Sequence, residues 1–234
     1  MKRINVFALG TSALLILSPL AQADCVILLH GLARTASAME ELGERFSAEG
    51  YTVVNAGYPS REYSIEELAP MAVEAGLEAC PEGETVHFVT HSLGGILVRQ
   101  YLTNNELPGL GRVVMLAPPN QGSEVVDKMR KVPGFRLLNG PAGLQLGTGP
   151  DDIPRQLPPV DFPLGVIAGT RTFNLMLSQF LPNPDDGKVS VESTKVEGMT
   201  DFITVPYSHP FIMERDAVID LALRFISTGS FASP

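Results

Sequence analysis

The chain has 234 residues, of which 44% are hydrophobic and 18% are charged, and its formal net charge is −9. This length allows one domain or at most two small ones. The balanced composition excludes a disordered tail, a coiled coil and a collagen-like fibre. The acidic charge argues against a nucleic-acid partner. We therefore expect a folded globular protein that binds no nucleic acid.

The first 23 residues are typical of a targeting segment. Lys2 and Arg3 precede a mostly apolar stretch over residues 6–20, and Ala21-Gln22-Ala23 has the small residues of a cleavage site. We predict a signal peptide over residues 1–23, cleaved near Ala23, and a secreted or periplasmic mature chain. An uncleaved membrane anchor is the alternative, although the apolar run is shorter than the about 20 residues that a span needs.

The two cysteines of the chain, Cys25 and Cys80, are predicted to form a disulfide. Export places the protein in an oxidising compartment, where disulfides form and persist. Two buried free thiols are the alternative. A lipoprotein is disfavoured because the acid Asp24 directly precedes Cys25, where such signals have a small residue.

Strand and helix patterns alternate along the rest of the chain. Apolar or β-branched runs predict strands at residues 25–29, 51–54, 85–90, 112–117, 164–168 and 202–205. Helical spacing or a capping pattern predicts helices around residues 39–46, 64–80, 94–104, 123–131 and 218–225. This alternation predicts an α/β fold in which about six mostly parallel strands carry helices on both faces of the sheet.

Residues 121–163 are predicted to be an insertion between the fourth and fifth strands of a single domain, residues 24–234. Because residues 140–165 are rich in Gly and Pro, we expect loop there rather than regular helix or sheet. A long loop at this place can overhang the ligand end of the sheet as a cap or lid. An ordered surface loop with no gating role is the alternative.

A serine directly follows the third predicted strand. The strand runs into His91-Ser92-Leu93-Gly94-Gly95, after which a helical pattern begins. A serine at such a sharp turn exposes its hydroxyl at the end of the sheet. The pattern matches the nucleophile elbow G-x-S-x-G, except that Thr90 replaces the first Gly. A side chain at that position crowds the turn unless its Cβ points into free space. Ser92 is thus the candidate nucleophile.

A second motif, His30-Gly31-Leu32, directly follows the first strand. With the elbow, it resembles the α/β-hydrolase lipases and esterases, in which the residues after the His-Gly pair and after the nucleophile donate backbone N–H groups to an oxyanion. The resemblance implies that Leu32 and Leu93 are these donors, each worth about 3 to 4 kcal/mol in the transition state. It implies a minimal α/β-hydrolase fold, since the first strand begins at the expected mature N-terminus without room for two leading strands.

One of the four histidines is positioned to act as the general base. His30 belongs to the oxyanion loop and braces it. His87 lies inside a strand, where we expect it to be packed or paired, and His91 neighbours Ser92 and is expected to point elsewhere. His209 follows the sixth strand and precedes the last helix, where the resembling enzymes have their catalytic histidine. Elimination and position together select His209 as base, against the alternative of a satisfied surface histidine.

The orienting acid is implied by resemblance to an Asp-Gly-x-Val segment of lipases, in which the Asp before Gly orients the histidine. Asp186 stands at that place, and its neighbour Asp185 is the alternative. A solvated acidic turn suits either residue alone but leaves His209 without an orienting acid. The chain order Ser92, Asp186, His209 is the order of this fold.

An apolar cluster after the fifth strand allows two interpretations. It could line an acyl-chain pocket or form a helix packed on the sheet, and its members are Phe173, Leu175, Met176, Leu177, Phe180 and Leu181. No His, Cys or Asp set has metal-ligand spacing, and the Gly-rich turn lacks the Lys-Ser/Thr of a P-loop, so we expect neither metal nor cofactor.

These features together predict a carboxylic-ester hydrolase of the lipase or esterase type that works through a Ser-His-Asp triad and an acyl-enzyme. Its substrate is expected to be a small-molecule ester or a lipid. We expect a monomer that contacts lipid surfaces at most transiently. A thioesterase, amidase or acyltransferase with the same triad is one alternative, and a catalytically silent binding module with this fold is another.

Overall fold

The computed structural model describes residues 24–233, and the predicted signal peptide lies outside the described residues. The strands are β1 (Cys25–Leu29), β2 (Thr52–Ala56), β3 (Val86–His91), β4 (Leu110–Leu116), β5 (Leu164–Gly169) and β6 (Asp201–Val205). They form one six-stranded sheet in the order β2-β1-β3-β4-β5-β6. Every neighbouring pair is parallel, which confirms the predicted sheet and makes it parallel throughout.

Helices connect the strands. They are α1 (Glu40–Ala48), α2 (Ile65–Ala79), α3 (Leu93–Asn104), α4 (Glu124–Met129), α5 (Phe135–Leu144), α6 (Ile153–Gln156), α7 (Leu175–Ser178), α8 (Val191–Thr194) and α9 (Asp216–Thr228). The predicted capping box begins α2, where the Ser64 backbone N–H donates to the Glu67 carboxylate at 2.9 Å. Pro70 lies inside α2, which nevertheless continues to Ala79.

Alternate residues of the central strands pack into two separate hydrophobic cores, one on each face of the sheet. Ile27 and Leu29 pack in one core with α2 and α3, whereas Val26 and Leu28 pack in the other with α1 and α9. A strand with both faces covered reads as a continuous apolar run, which explains the sequence of β1. The predicted helices on both faces of the sheet are therefore confirmed.

The insertion, residues 121–163, contains the helices α4, α5 and α6. The expectation that residues 140–165 are loop up to the fifth strand is wrong at the end of α5 and in α6. Within α5, Gly140 has a φ of 66° outside the helical region, and Pro141 begins the second half of the helix. Proline suits the first turn of a helix, because its missing N–H would have no partner there anyway. The Gly-Pro pair therefore kinks a helix instead of ending it.

The predicted disulfide is present. Cys25 at the start of β1 is bonded to Cys80 at the end of α2, with 5.9 Å between the two Cα atoms. A disulfide fits an extracellular environment. Within residues 24–233, no helix is both long enough and apolar enough to cross a membrane.

Candidate active site

Ser92 lies at the sharp turn between β3 and α3. Its φ of 52° is unusual for a residue other than glycine, and such backbone strain concentrates at functional sites. The turn requires a close approach, because a Cβ on Gly94 would lie 2.6 Å from the Leu29 carbonyl oxygen. Glycine at position 94 thus lets α3 begin against the end of β1, directly after the serine.

Thr90, which replaces the usual first glycine of the elbow, is accommodated without an unpaired hydroxyl. Its side chain is fully buried, and Oγ1 donates to the Val114 carbonyl at 3.4 Å. A Cβ on Gly95 would lie 3.2 Å from this Oγ1 and 3.0 Å from Met115 Sδ. The threonine therefore occupies space that a glycine at position 95 leaves open.

The structure brings Ser92, His209 and Asp186 together. His209 Nε2 lies 3.0 Å from Ser92 Oγ, and His209 Nδ1 lies 2.8 Å from Asp186 Oδ2. The side chain of Asp186 is inaccessible to solvent. With the proton on Nδ1 donated to the carboxylate, Nε2 is left as an acceptor that faces the serine hydroxyl.

The Asp186 carboxylate is oriented by the backbone around it. Oδ1 accepts hydrogen bonds from the N–H groups of Lys188 at 2.9 Å and Val189 at 2.8 Å. These contacts leave Oδ2 for the imidazole. The backbone N–H of His209 also donates to the backbone carbonyl of Asp186 at 3.0 Å, so backbone and side-chain bonds join the same two residues.

Asp185, the alternative acid, faces a different part of the molecule. Its Oδ2 accepts from the Ser178 hydroxyl at 2.6 Å, and its Oδ1 accepts from the Gly187 N–H at 2.7 Å. Both aspartates are buried, so the alternative of a solvated acidic turn is wrong. The Asp185 carboxylate anchors α7 to the turn that carries Asp186.

Leu32 lines the same cavity as Ser92, and Leu93 directly follows Ser92 in the chain. Leu32 belongs to the loop after β1, and Leu93 is the first residue of α3. Within residues 24–233, neither backbone N–H donates a hydrogen bond to another group. For Leu93 this follows from its place, because the first N–H groups of a helix have no partner inside the helix.

The loop after β1 is held by His30 and by two residues that no sequence motif indicated, Tyr58 and Ser60. The His30 ring stacks on Tyr58 with 4.1 Å between the ring centroids, and the Tyr58 hydroxyl donates to the His30 carbonyl. The Ser60 hydroxyl accepts from the Ala33 N–H at 3.1 Å, where Ala33 has a φ of 56°. Burial is the main cause that lowers the pKa of His30, so its ring packs as a neutral group.

His91 does not point away from the site, contrary to expectation. Its ring lines the same cavity as Ser92, and its Nε2 lies 3.0 Å from the His209 carbonyl oxygen. Side chains of neighbouring strand residues diverge, but the positive φ of Ser92 breaks that alternation. Burial holds the pKa of His91 well below its ordinary value, so the ring is neutral and can donate one proton to that carbonyl.

His87 is packed and paired inside β3. Its Nε2 lies 3.2 Å from the Asp24 carboxylate, and its Nδ1 accepts from the Arg112 N–H at 2.8 Å. Burial lowers the pKa of this imidazole, and the Asp24 carboxylate opposes the shift. His87 is thus a core histidine remote from Ser92.

A cavity of about 320 Å³ opens beside Ser92 and His209. The loop after β1, the insertion and the segment 188–189 complete its wall. Its apolar side chains include Leu32, Val125, Val126, Phe135, Leu146 and Val189. Within the insertion, Arg130 bonds Asp152 at 2.8 Å and also contacts Asp127, which joins the end of α4 to the start of α6. The cavity has the size and lining of a small-molecule site.

The apolar cluster after β5 satisfies neither interpretation that its sequence suggested. The residues that line the cavity do not include it, and Leu175 and Met176 are 72% and 73% exposed. The helix α7 is too short to include the whole cluster. Among the six residues of the cluster, only Leu181 is buried. Nor does any group of three or more His, Cys, Asp or Glu side chains in residues 24–233 have the arrangement of a metal site.

A comparison with models of protein families identifies the family of the chain. The model of the alpha/beta hydrolase family matches residues 26–222, which is more than half of the chain. The chain belongs to the alpha/beta hydrolase family. This membership confirms the resemblance seen in the sequence and the predicted fold class. No curated protein sequence matches this chain.

Solved structures of lipases and esterases share the fold of this chain. The mature form of a Bacillus licheniformis lipase superposes with a TM-score of 0.68 at 20% identity, over 89% of this chain and 96% of that one. A metagenomic carboxyl esterase gives 0.61 at 17% identity, over 86% and 69%. A Staphylococcus hyicus lipase gives 0.60 at 12% identity, over 85% and 90%. At these identities the likeness establishes the fold alone.

Proposed function

We propose that the hydrolase cleaves carboxylic esters, as lipases and esterases do. The observation that carries this proposal is the chain of contacts from Ser92 Oγ through His209 to Asp186, with distances of 3.0 and 2.8 Å, at the wall of a cavity. A nucleophile, a base and an acid that orients the base are the parts that acyl transfer needs. The lipase and esterase structures that share the fold support the same chemistry.

In the proposed mechanism, Ser92 Oγ attacks the ester carbonyl while His209 Nε2 takes the hydroxyl proton. The carbonyl oxygen becomes an oxyanion, which accepts hydrogen bonds from the N–H groups of Leu32 and Leu93. The bond to the alcohol oxygen then breaks, and His209 gives its proton to the leaving alcohol. Water, deprotonated by His209, then attacks the acyl-enzyme carbonyl. The bond from the acyl carbon to Ser92 Oγ breaks, and His209 returns the proton to Oγ as the acid leaves. Asp186 keeps the imidazole in the tautomer that both proton transfers require.

Further features of the protein belong to the same proposal. We propose that residues 1–23 are a signal peptide and that the mature chain is secreted or periplasmic, which the disulfide supports. The insertion, residues 121–163, acts as a cap over the cavity, whose wall it shares. The enzyme works as a monomer without a cofactor, and it contacts lipid surfaces at most transiently.

The decisive variant is Ser92→Ala. We expect a fluorophosphonate probe to label the wild type and not this variant, and turnover of 4-nitrophenyl butyrate to fall by about 10⁶ if chemistry limits the rate. Ser123, another serine at the cavity wall, supplies the matched control, and Ser123→Ala should still be labelled. Equal labelling of wild type and Ser92→Ala would refute the proposal, and a silent binding module would fail to be labelled at all.

The same machinery serves thioesterases, amidases and acyltransferases, and substrate pairs separate these activities. Rates on a butyryl oxyester, thioester and anilide with comparable leaving groups should be highest for the oxyester. Addition of a soluble alcohol should not divert most of the acyl group from water. A highest rate on the thioester or on the anilide would instead indicate a thioesterase or an amidase. Transfer of most of the acyl group to the alcohol would indicate an acyltransferase.

A further inference from the structure

Two cationic side chains line the cavity that holds Ser92 and His209. Arg34 follows the loop that carries Leu32, and Lys188 lies two residues after Asp186. Protein atoms around the Lys188 ammonium lower its pKa by desolvation, the Asp186 carboxylate opposes this, and the Arg34 guanidinium lowers it further. The two cations therefore lie within electrostatic reach of each other at one wall of the cavity.

Most of the hydrogen-bonding capacity of these two side chains is unused by the protein. Arg34 Nη2 donates to the Pro210 carbonyl at 2.8 Å, while Lys188 Nζ donates to no atom of residues 24–233. Neither cation forms an ion pair with a carboxylate of the described residues. Asp186 does not need Lys188 as a counter-ion, since two backbone N–H groups and His209 already bind its carboxylate.

The charge of the cavity is opposite to that of the chain. Of the described residues that line it, none is Asp or Glu, although the chain has a net charge of −9. A concave site with charges of one sign concentrates ligands of the opposite sign. Paired cations with free N–H donors are the usual recognition elements for a carboxylate or a phosphate.

The position of the cations relative to His209 indicates which half of an ester bears the charge. In ester cleavage, the histidine gives its proton to the leaving alcohol, so the alcohol lies on the His209 side of the serine. Arg34 bonds the residue directly after His209, and Lys188 belongs to the turn that binds its imidazole through Asp186. The apolar wall formed by the insertion is left for the acyl chain.

We propose that the natural substrate is an ester whose alcohol part carries an anionic group, a phosphate or a carboxylate, which Arg34 and Lys188 bind. This inference rests on the proposed ester hydrolysis and specifies its substrate class. Arg34 and Lys188 are thus specificity-determining residues rather than parts of the bond-breaking machinery.

The test compares two esters that differ in one charge. One is 4-nitrophenyl butyrate with a carboxylate at the 3-position of the ring, and the other bears a neutral carboxamide there. We expect kcat/KM to be about tenfold higher for the anionic ester and the ratio to fall with ionic strength. Arg34→Gln and Lys188→Gln should each lower the ratio about threefold, and the double variant should bring it near one. The ratio within one variant is insensitive to losses of folded protein.

Lys131→Gln is the matched control, because it removes the same charge from an exposed residue that does not line the cavity. It should leave the ratio unchanged. A wild-type ratio near one, with both esters cleaved, would overturn the inference and leave the proposed function intact. A higher kcat/KM for 4-nitrophenyl hemiglutarate than for 4-nitrophenyl butyrate, with equal kcat/KM for the two esters of the first pair, would also overturn the inference. The favoured charge would then lie on the acyl part of the ester. Cleavage of none of these esters would instead overturn the proposed function.

The anionic alcohol can belong to a soluble molecule or to a lipid headgroup, and two further pairs distinguish these sources. Butyryl glycerol 3-phosphate against monobutyrylglycerol tests soluble esters. Dioleoyl phosphatidylglycerol against diolein, both in neutral detergent micelles, tests lipids. Faster cleavage of the charged member in either pair supports the inference and identifies the source. Equal cleavage of charged and neutral members in both pairs would overturn it.

Discussion

The two adjacent aspartates at positions 185 and 186 have different surroundings although both are buried. Asp186 accepts from two backbone N–H groups and faces the His209 ring, whereas Asp185 accepts from Ser178 and Gly187. The division follows from the tight turn at Gly187, whose φ is 93°. One carboxylate therefore orients an imidazole, and the other stabilises the turn.

This division predicts opposite results for two amide variants. Asp186→Asn should lower kcat on 4-nitrophenyl butyrate by about 10⁴, because the amide favours the wrong tautomer of His209, and should leave the chain folded. Asp185→Asn should lower the free energy of unfolding by about 1 to 3 kcal/mol, because a buried charged acceptor is lost. Steady-state kinetics and urea unfolding of both variants check this. A larger loss of kcat in Asp185→Asn than in Asp186→Asn would reverse the assignment.

Two histidines of β3, His87 and His91, differ in how well the sequence predicts their surroundings. His87 lies in the core as expected, because a residue inside a strand with both faces covered must be buried. The prediction that His91 points away from the site is wrong, because it assumes that the side chains of His91 and Ser92 diverge as they do along a strand. The rule of alternation holds only along a regular strand, and Ser92 has a φ of 52°. The contact between His91 and the His209 carbonyl therefore depends on the turn itself.

At the level of elements, the disulfide joins β1 to α2 across a sequence separation of 55 residues. Its two ends come together because β1 and β3 are neighbours and α2 connects to β3. The disulfide was predictable from the number of cysteines and from the signal peptide that the sequence predicts. Their spatial closeness follows from the parallel sheet, which places the beginnings of neighbouring strands along one edge.

Removal of the disulfide should weaken the fold without altering the candidate site. The double variant Cys25→Ala/Cys80→Ala should lose roughly 4 kcal/mol of unfolding free energy in the chain-entropy model, since the closed loop is long. Urea unfolding of the variant, and of the wild type with and without reductant, measures the loss. An unchanged unfolding midpoint in the variant would contradict the prediction, and folded variant should retain its kcat on 4-nitrophenyl butyrate.

Residues 121–163 lie between β4 and β5, and their helices differ from the loop that the sequence predicts. The Gly and Pro residues predict loop over residues 140–165, whereas α5 bends at Gly140 and continues after Pro141. The bend is sustained by contacts outside the helix, such as the bond from the Ala142 N–H to the Tyr63 carbonyl at 3.2 Å. Such long-range partners leave no pattern in the local sequence.

For the molecule as a whole, buried histidines link stability to pH. Burial lowers the pKa of His30, His87 and His91 below the ordinary value of 6.5. As pH falls through this value, the unfolded chain binds protons that the folded chain does not. The three histidines should therefore not lower the free energy of unfolding above pH 7, and this free energy should decrease as pH falls below about 6.5.

Urea unfolding at pH 7.5, 6.5 and 5.5 checks this prediction, since carboxylates contribute little to the slope in that window. Each histidine adds at most about 1.4 kcal/mol per pH unit, because one proton is linked to unfolding. His87→Gln should make the decrease shallower than in the wild type, as it removes one of the three groups. A stability that is constant or that rises toward pH 5.5 would contradict the assignment of neutral buried histidines.

Local patterns in the amino-acid order were enough to specify the alternation of strands and helices, the elbow at Ser92, the cysteine pair and the family. Each of these features depends on residues a few positions apart or on the number of cysteines, and the sequence alone is therefore enough to predict it. The orientation of Asp186 against Asp185, the place of His91 and the two cations in the cavity required the folded chain. The first depends on the turn at Gly187 and on the approach of His209, whereas the other two depend on loops far apart in the sequence that meet at the carboxyl end of one parallel sheet. Hydrogen bonds and charges then act between residues that no sequence pattern connects.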